Sequence, residues 1–201
     1  MPHQDLFVDG VRYPSVTEIL GDAPKPWLEK WRAKWGVLAD RKTKAATNVG
    51  NEFHALVEPL VLGKNVYLPG KRRLDRMLLS FECWFMSSGL QIKDTELHVV
   101  SKLYQYQGTF DATGYLADKP KTLVLFDWKT SNAIYPDMAL QLVAYAQAYF
   151  EQTGIWIKRG IIVHVSKDKP LHKLTVKEYP LNKRLLNQFL KRLREYNEAR
   201  T

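Results

Sequence analysis

Apolar residues repeat along this chain with two periods, and the change from one to the other divides it. Leu6-Phe7-Val8 and Val11-Arg12-Tyr13 flank Asp9-Gly10, a dipeptide suited to the positive backbone angles of a tight turn, so the chain is expected to open with a small hairpin. Ser15 followed by Glu18 is a capping-box pattern ahead of Ile19 and Leu20. Pro24 and Pro26 separate that short turn from a helix expected over about Pro26 to Asp40. Helical spacing resumes over about Ala45 to Leu62 and about Lys71 to Ser88, with Gly63 and Gly89 as stops. From about Ile92 to Thr130 the period falls toward two, and β-branched and aromatic residues accumulate. This predicts three antiparallel strands with breaks near Lys102-Leu103 and at Asp118-Lys119-Pro120-Lys121. A helix from about Asp137 to Gln152, strands from Trp156 to Ser166 and Leu171 to Tyr179, and a helix from about Asn182 to Ala199 close the chain.

The order of elements predicts an α/β (α+β) fold with a mixed central sheet flanked by helices and a helical first third. At 201 residues one domain is expected, running over 1–201. Trp27, Trp31 and Trp35 recur every four residues and share one helix face. Such a stripe is expected in the core, because large aromatics mostly bury their area, although exposed indoles also stack on single-stranded nucleic acid.

Charge narrows the partners. Thirty Lys and Arg against 21 Asp and Glu give a formal charge of +9, which favours a polyanion. Basic residues gather over Lys25 to Lys44, at Lys71-Arg72-Arg73-Arg76 and along the closing helix, where solvated helix faces are the plain alternative to phosphate contacts. The lone Cys83 excludes a disulfide framework or a four-cysteine cluster built by one chain, so no iron–sulfur cluster is expected. The amino terminus lacks a long apolar run and nothing approaches a membrane span, so an intracellular, cytoplasmic protein without a membrane partner is expected.

The strands Gly108 to Leu116 and Leu123 to Lys129 read as one hairpin whose turn is centred on Lys119, and this register sets Asp111 opposite Asp127. Like charges across a strand pair repel, and the neighbours Leu123 to Phe126 predict burial that worsens the repulsion. A cation would resolve it. Lys129 shares the face of Asp127 by strand alternation, whereas Phe126 and Trp128 point the other way. Two carboxylates and an amine so placed suit phosphodiester hydrolysis with magnesium or manganese, the alternative being a buried Asp–Lys ion pair. Gln141 and Tyr145 share a face of the following helix and can bring an amide and a phenol to the same place. His54 and Glu58 also lie four apart on a helix; imidazole suits a transition metal, though a lone helical histidine is more often structural.

The ordered set GNEFHALVE (Gly50 to Glu58), TELHV (Thr95 to Val99), GTFDA (Gly108 to Ala112), FDWKT (Phe126 to Thr130) and QLVAY (Gln141 to Tyr145) resembles the motif series of the RecB-like branch of the PD-(D/E)XK nucleases. YPSVTEIL (Tyr13 to Leu20) and KPWLEKW (Lys25 to Trp31) further resemble phage exonucleases and the mitochondrial genome maintenance exonuclease. The resemblance implies a restriction-endonuclease-like core and a magnesium- or manganese-dependent DNA exonuclease of phage or prophage replication, recombination or processing. A structure-selective endonuclease and a non-catalytic DNA-binding module are the alternatives. It implies metal ligation by His54, Asp111, Asp127 and the backbone carbonyl of Trp128, with Lys129 as the catalytic lysine and Glu96 as a further acidic residue. Gln141 and Tyr145 would orient the DNA, and Ser15, Thr17 and Lys34 are further expected DNA contacts. Expected partners are DNA, as single strands or duplex ends, and a recombination or replication protein. With one cysteine and no room for a helicase motor, the chain reads as a stand-alone nuclease, and Asp127 stands where many of the superfamily have glutamate.

Overall fold

The computed structural model describes residues 6–167 and 173–200. A hairpin of β1 (Leu6–Val8) and β2 (Val11–Tyr13) opens the chain, with Asp9 and Gly10 at φ 51° and 79° in its turn. The backbone of Tyr13 to Ser15 then runs beside Gln107, whose side-chain amide donates to the Tyr13 carbonyl at 3.0 Å. This fastens the start of α1 (Val16–Asp22) to the central sheet. Ser15 caps α1 as expected, accepting from the Glu18 amide at 3.1 Å. The Arg12 guanidinium, which grips the Glu18 carboxylate in a two-pronged pair, holds that carboxyl below its usual range.

The next two helices differ from expectation. α2 spans Pro26–Trp35 and stops where Gly36 takes φ 48° and ψ −130°, a conformation open to glycine alone. α3 begins at Leu38, not near Ala45, and runs 24 residues to Val61. Good helix formers on both sides of Gly36 hid the break from a reading by periodicity. α4 (Arg72–Ser88) ends at Gly89 in the left-handed region, as expected.

The sheet has the order β3 (Gln91–Ser101), β4 (Tyr106–Tyr115), β5 (Val124–Lys129), β6 (Arg159–His164) and β7 (Thr175–Pro180). Only β5 and β6 are parallel, joined through α5 (Asp137–Thr153), so the sheet is mixed. β6 and β7 are shorter than the expected strands, and residues 168–172, which include Leu171, lie outside the described ones. α6 (Lys183–Glu198) closes the fold, with the Asn182 side chain accepting from Leu185 at its start.

Each face of the sheet carries its own core. On one side α1, α5 and α6 cover Val99, Phe110, Leu125 and Ile162. α5 is buried continuously from Met138 to Tyr149 because it lies between the sheet and α6. On the other side α3 and α4 cover Ala112, Phe126, Trp128 and Val163. An aromatic group fills this second core, in which Phe81 meets Phe53 and Trp128 edge-on with centroids 5.9 and 5.0 Å apart. No helix among the described residues is long and apolar enough to cross a membrane.

Phe81→Ala empties the centre of that aromatic group and is expected to destabilise the fold by about 3–5 kcal/mol, read from denaturant unfolding. A loss under about 1 kcal/mol would show that the second core is not packed as described.

Candidate active site

β4 and β5 pair in the register expected from the turn, through Gly114 with Val124, Thr113 with Leu125 and Ala112 with Phe126. The ladder stops there, one position before Asp111 and Asp127. Past it, the Trp128 amide donates to the Asp111 carboxylate at 2.5 Å, so a side chain replaces the backbone acceptor that a continued ladder would provide.

The cause lies across the sheet. A register shift between Ile92 and Asp94 brings Glu96 opposite Asp111, between the pairs Thr95 with Ala112 and Leu97 with Phe110. Glu96 has φ 46°, an uncommon conformation for a residue with a side chain. Strand alternation reverses at this point: Ala112 packs into the α3–α4 core, whereas Phe110, two residues earlier, packs into the α5 core. The sheet therefore parts at Asp111 and leaves a polar gap between its two cores.

Five ionisable side chains converge there. His54 Nδ1 lies 3.3 Å from Asp111 Oδ1, and Lys129 Nζ lies 2.7 Å from Asp127 Oδ2. His54, Glu96 and Asp111 each present one donor atom within 4.8 Å of the others. Asp127 is only 3% exposed, and its Oδ2 has no hydrogen-bond partner of acceptable geometry despite the nearby ammonium. The Lys129 ammonium, which also donates to Asp127 Oδ1 at 2.9 Å, is thus the charge that faces this buried carboxylate.

Electrostatics follow from the crowding. Burial pushes the Asp127 carboxyl up to about 6; the Asp111 charge adds to the rise and Lys129 opposes it. Burial acts on Asp111 in the same sense, but His54, Lys129 and the Trp128 amide together outweigh it and hold Asp111 below its usual range. His54 is correspondingly raised: burial disfavours its charge, and Asp111 overcomes that. Glu96 retains an exposed edge, yet desolvation on its inner side and the Asp111 charge push it up to about 7.

Gln141 and Tyr145 lie beneath this group. The Gln141 amide donates to the Tyr145 hydroxyl at 2.8 Å, and the two residues are 8% and 2% exposed. Burial, with the Asp127 charge, raises the Tyr145 phenol above its usual value. The pair thus backs the carboxylates instead of lining an open surface. Gly108 permits this approach, because a Cβ there would come within 2.3 Å of Tyr145 Cε1.

A cleft of about 690 Å³ leads away from His54 and Lys129. Leu28 and Trp31 of α2, one face of α3 from Lys42 to His54, and Ser131, Asn132 and Tyr135 line it, with Thr17 at its edge. Trp31 and Trp35 are half-buried, so the expected core stripe is corrected: Trp31 faces the cleft and Trp35 lies 3.8 Å beneath Lys42 Nζ. The side chain of Trp27 is outside the described ones. Ser15 is 7% exposed and committed to capping α1, with its hydroxyl 3.1 Å from that of Thr17. Lys34 is exposed and does not line the cleft, nor does Glu58.

His164 was not anticipated. It is 4% exposed, sits beside Lys129 in the parallel pair, and its Nε2 donates to the Ser131 carbonyl at 2.6 Å, fixing the loop that floors the cleft. The signal available was one polar residue closing the apolar run Ile161 to Val163.

No protein-family model and no curated protein matches the chain. Solved structures do. A Eubacterium rectale protein provisionally named an exonuclease superposes with a TM-score of 0.52 at 14% identity, over 94% of this chain and 79% of that one. An alkaline exonuclease from Laribacter hongkongensis gives 0.45 at 11% identity, over 74% and 78%. A phage-related exonuclease from Haemophilus somnus 129PT gives 0.38 at 14% identity, over 90% of each chain. The first of these similarities shows a shared fold, which in this chain is a five-stranded mixed sheet flanked by helices.

Gly108→Ala forces the Tyr145 ring out of its position and is expected to cost about 1–3 kcal/mol in thermal or denaturant unfolding. An unchanged stability would mean that Tyr145 does not rest on β4 as described.

Proposed function

We propose that this chain is a divalent-metal-dependent deoxyribonuclease that removes nucleotides from the ends of linear DNA. The observation that carries this reading is the convergence of His54, Glu96 and Asp111, whose donor atoms lie within 4.8 Å of one another beside the buried Asp127–Lys129 pair. Three ligand-type side chains at that spacing can hold a divalent cation.

His54, Asp111, Asp127 and the Trp128 carbonyl would hold magnesium or manganese, with Glu96 at the rim. The bound ion supplies Lewis acidity, polarising a phosphate and lowering the pKa of an attached water. Asp111 is kept ionised by His54 and the Trp128 amide, so it is ready to ligate at neutral pH. Lys129 would offer its ammonium to the attacked phosphate and offset the charge that develops there. Gln141 and Tyr145, hydrogen-bonded to each other, back the carboxylates, and His164 anchors the Ser131 carbonyl beside the cleft. A formal charge of +9 supports DNA as the substrate, and the amino-terminal motif resemblance supports exonucleolytic action in phage or prophage DNA processing.

End-labelled linear single strands and linear duplex are expected to be degraded with magnesium or manganese and spared with chelator, while closed circular DNA survives. Equal cutting of the circle would refute the exonuclease mode. Lys129→Ala is expected to lower kcat by about 10²–10³-fold while manganese still raises its melting temperature. Asp127→Asn should lose both the activity and the manganese-induced rise. Turnover of Asp127→Asn at the wild-type rate would sink the metal assignment.

Metal affinity carries a pH signature. Asp127 must lose its proton to ligate, and so must Glu96, so affinity rises as pH passes through about 6 and about 7. Calorimetric titration of manganese should show tightening between about pH 5 and 8 with proton release. A flat profile would contradict the assigned ligands.

A further inference from the structure

We infer that Lys93 is a positioning residue for Glu96: its ammonium clips the bulged edge strand to α5 and so holds Glu96 in the kink that faces Asp111. The inference rests on the nuclease reading and deepens it, because it assigns the residue that sets one acidic group of the proposed metal site. Glu96 stands on β3, an edge strand of the sheet, with φ 46°. A residue with a side chain keeps such a conformation only where its surroundings over-determine it. Relaxed to ordinary extended backbone, Glu96 would swing its carboxylate away from Asp111. The edge position leaves β4 and the packed α5 to prevent this.

The strand is held on both sides of the kink. After Glu96, the pairs from Leu97 to Ser101 run in register with β4. There the Glu151 carboxylate of α5 accepts from the Ser101 hydroxyl at 2.8 Å and from the Leu103 amide at 3.2 Å. Before Glu96 stands the bulge: Ile92 faces Gly114 and Asp94 faces Thr113, so Lys93 has no residue opposite it in the ladder. The Lys93 ammonium instead donates to the Tyr149 hydroxyl at 2.7 Å and lies 3.2 Å from Asp94 Oδ2, which accepts from the Thr113 hydroxyl at 2.9 Å. Lys93 thus ties the bulge to α5, and Asp94 ties it to β4. The anchor on α5 is firm. Tyr149 is 2% exposed, and its ring meets that of Phe110, the neighbour of Asp111, edge-on with centroids 6.1 Å apart. Tyr149 lies one turn beyond Tyr145, so the helix that backs the carboxylates also reaches the edge strand. A lysine at a bulge can also serve to keep a sheet edge from pairing with another copy. Against that alternative, the Lys93 ammonium turns inward onto the hydroxyl of a buried tyrosine.

The test uses Lys93→Met, which keeps the stem and removes the charge, with Lys93→Arg, Glu96→Gln and the double variant Lys93→Met, Glu96→Gln. In metal-free protein, hydrogen exchange across Asp94 to Leu97 is expected to quicken about fivefold or more in Lys93→Met and to stay within about twofold of wild type in Lys93→Arg. In calorimetric titration with manganese, Lys93→Met and Glu96→Gln are each expected to weaken binding by about tenfold, and Lys93→Arg to recover most of the loss. The double variant should bind no more weakly than Glu96→Gln alone, whereas a lysine that only stabilised the fold would add its own loss. Should Lys93→Met melt well below wild type, Tyr149→Phe removes the same bond from the other side and carries the same expectations. Unchanged exchange, unchanged manganese affinity, no recovery with Lys93→Arg, a loss that Glu96→Gln lacks, or additive losses in the double variant would each overturn the assignment. Concentration-dependent self-association of Lys93→Met with manganese binding intact would overturn it too, and would reassign Lys93 to guarding the sheet edge. A wild type that binds no manganese and cuts no DNA fails at the nuclease reading, and the metal-free exchange comparison then decides the clip by itself.

Discussion

Two carboxylates set side by side in a dry gap repel each other, and much of the structure around Asp111 and Asp127 answers that constraint. The β4–β5 ladder ends just before them, the Trp128 amide turns to Asp111, and His54 and Lys129 each take one carboxylate. Even so, one oxygen of Asp127 remains without a hydrogen bond. Under the proposed function a cation would share the charge that Lys129 faces at Asp127 and His54 at Asp111.

Packing makes that arrangement affordable to the fold. The two cores on opposite faces of the sheet hold β5 rigidly, so Asp127 and Lys129 project from a strand flanked by Phe126 and Trp128 on one side and backed by α5 on the other. α3 brings His54 in from the second core, where Phe53 beside it packs edge-on against Phe81. The irregularity at Glu96 opens the sheet opposite Asp111, beyond the register shift at Ile92 to Asp94, and the pairs from Leu97 to Ser101 continue in register.

Much of this was legible in the sequence. A short turn centred on Lys119 fixes strand register, and a residue-by-residue period of two then places Asp111, Asp127 and Lys129 on one face. The i, i+4 spacing of Gln141 and Tyr145 predicted their shared face, though not that both would be buried beneath the site. What was hidden depends on backbone torsion and tertiary context. Nothing in the composition around Glu96 announces a positive φ, and the break at Gly36 is masked because strong helix formers lie on either side. The tryptophan stripe misled for a related reason. Periodicity says that Trp31 and Trp35 share a face, but only the packing of α2 against α3 decides that the face borders a cleft and not a core. His164 escaped notice because a single histidine at a strand end carries no pattern.

The most direct measurement is a crystal structure of the protein grown with manganese, examined by anomalous diffraction. If the carboxylate pair is a metal site, a strong peak will stand among His54, Asp111 and Asp127, with the Lys129 ammonium withdrawn from Asp127. A map without a peak there, and with Lys129 still paired to Asp127 at saturating manganese, would mean that the gap is a structural ion pair and that the proposed chemistry is wrong.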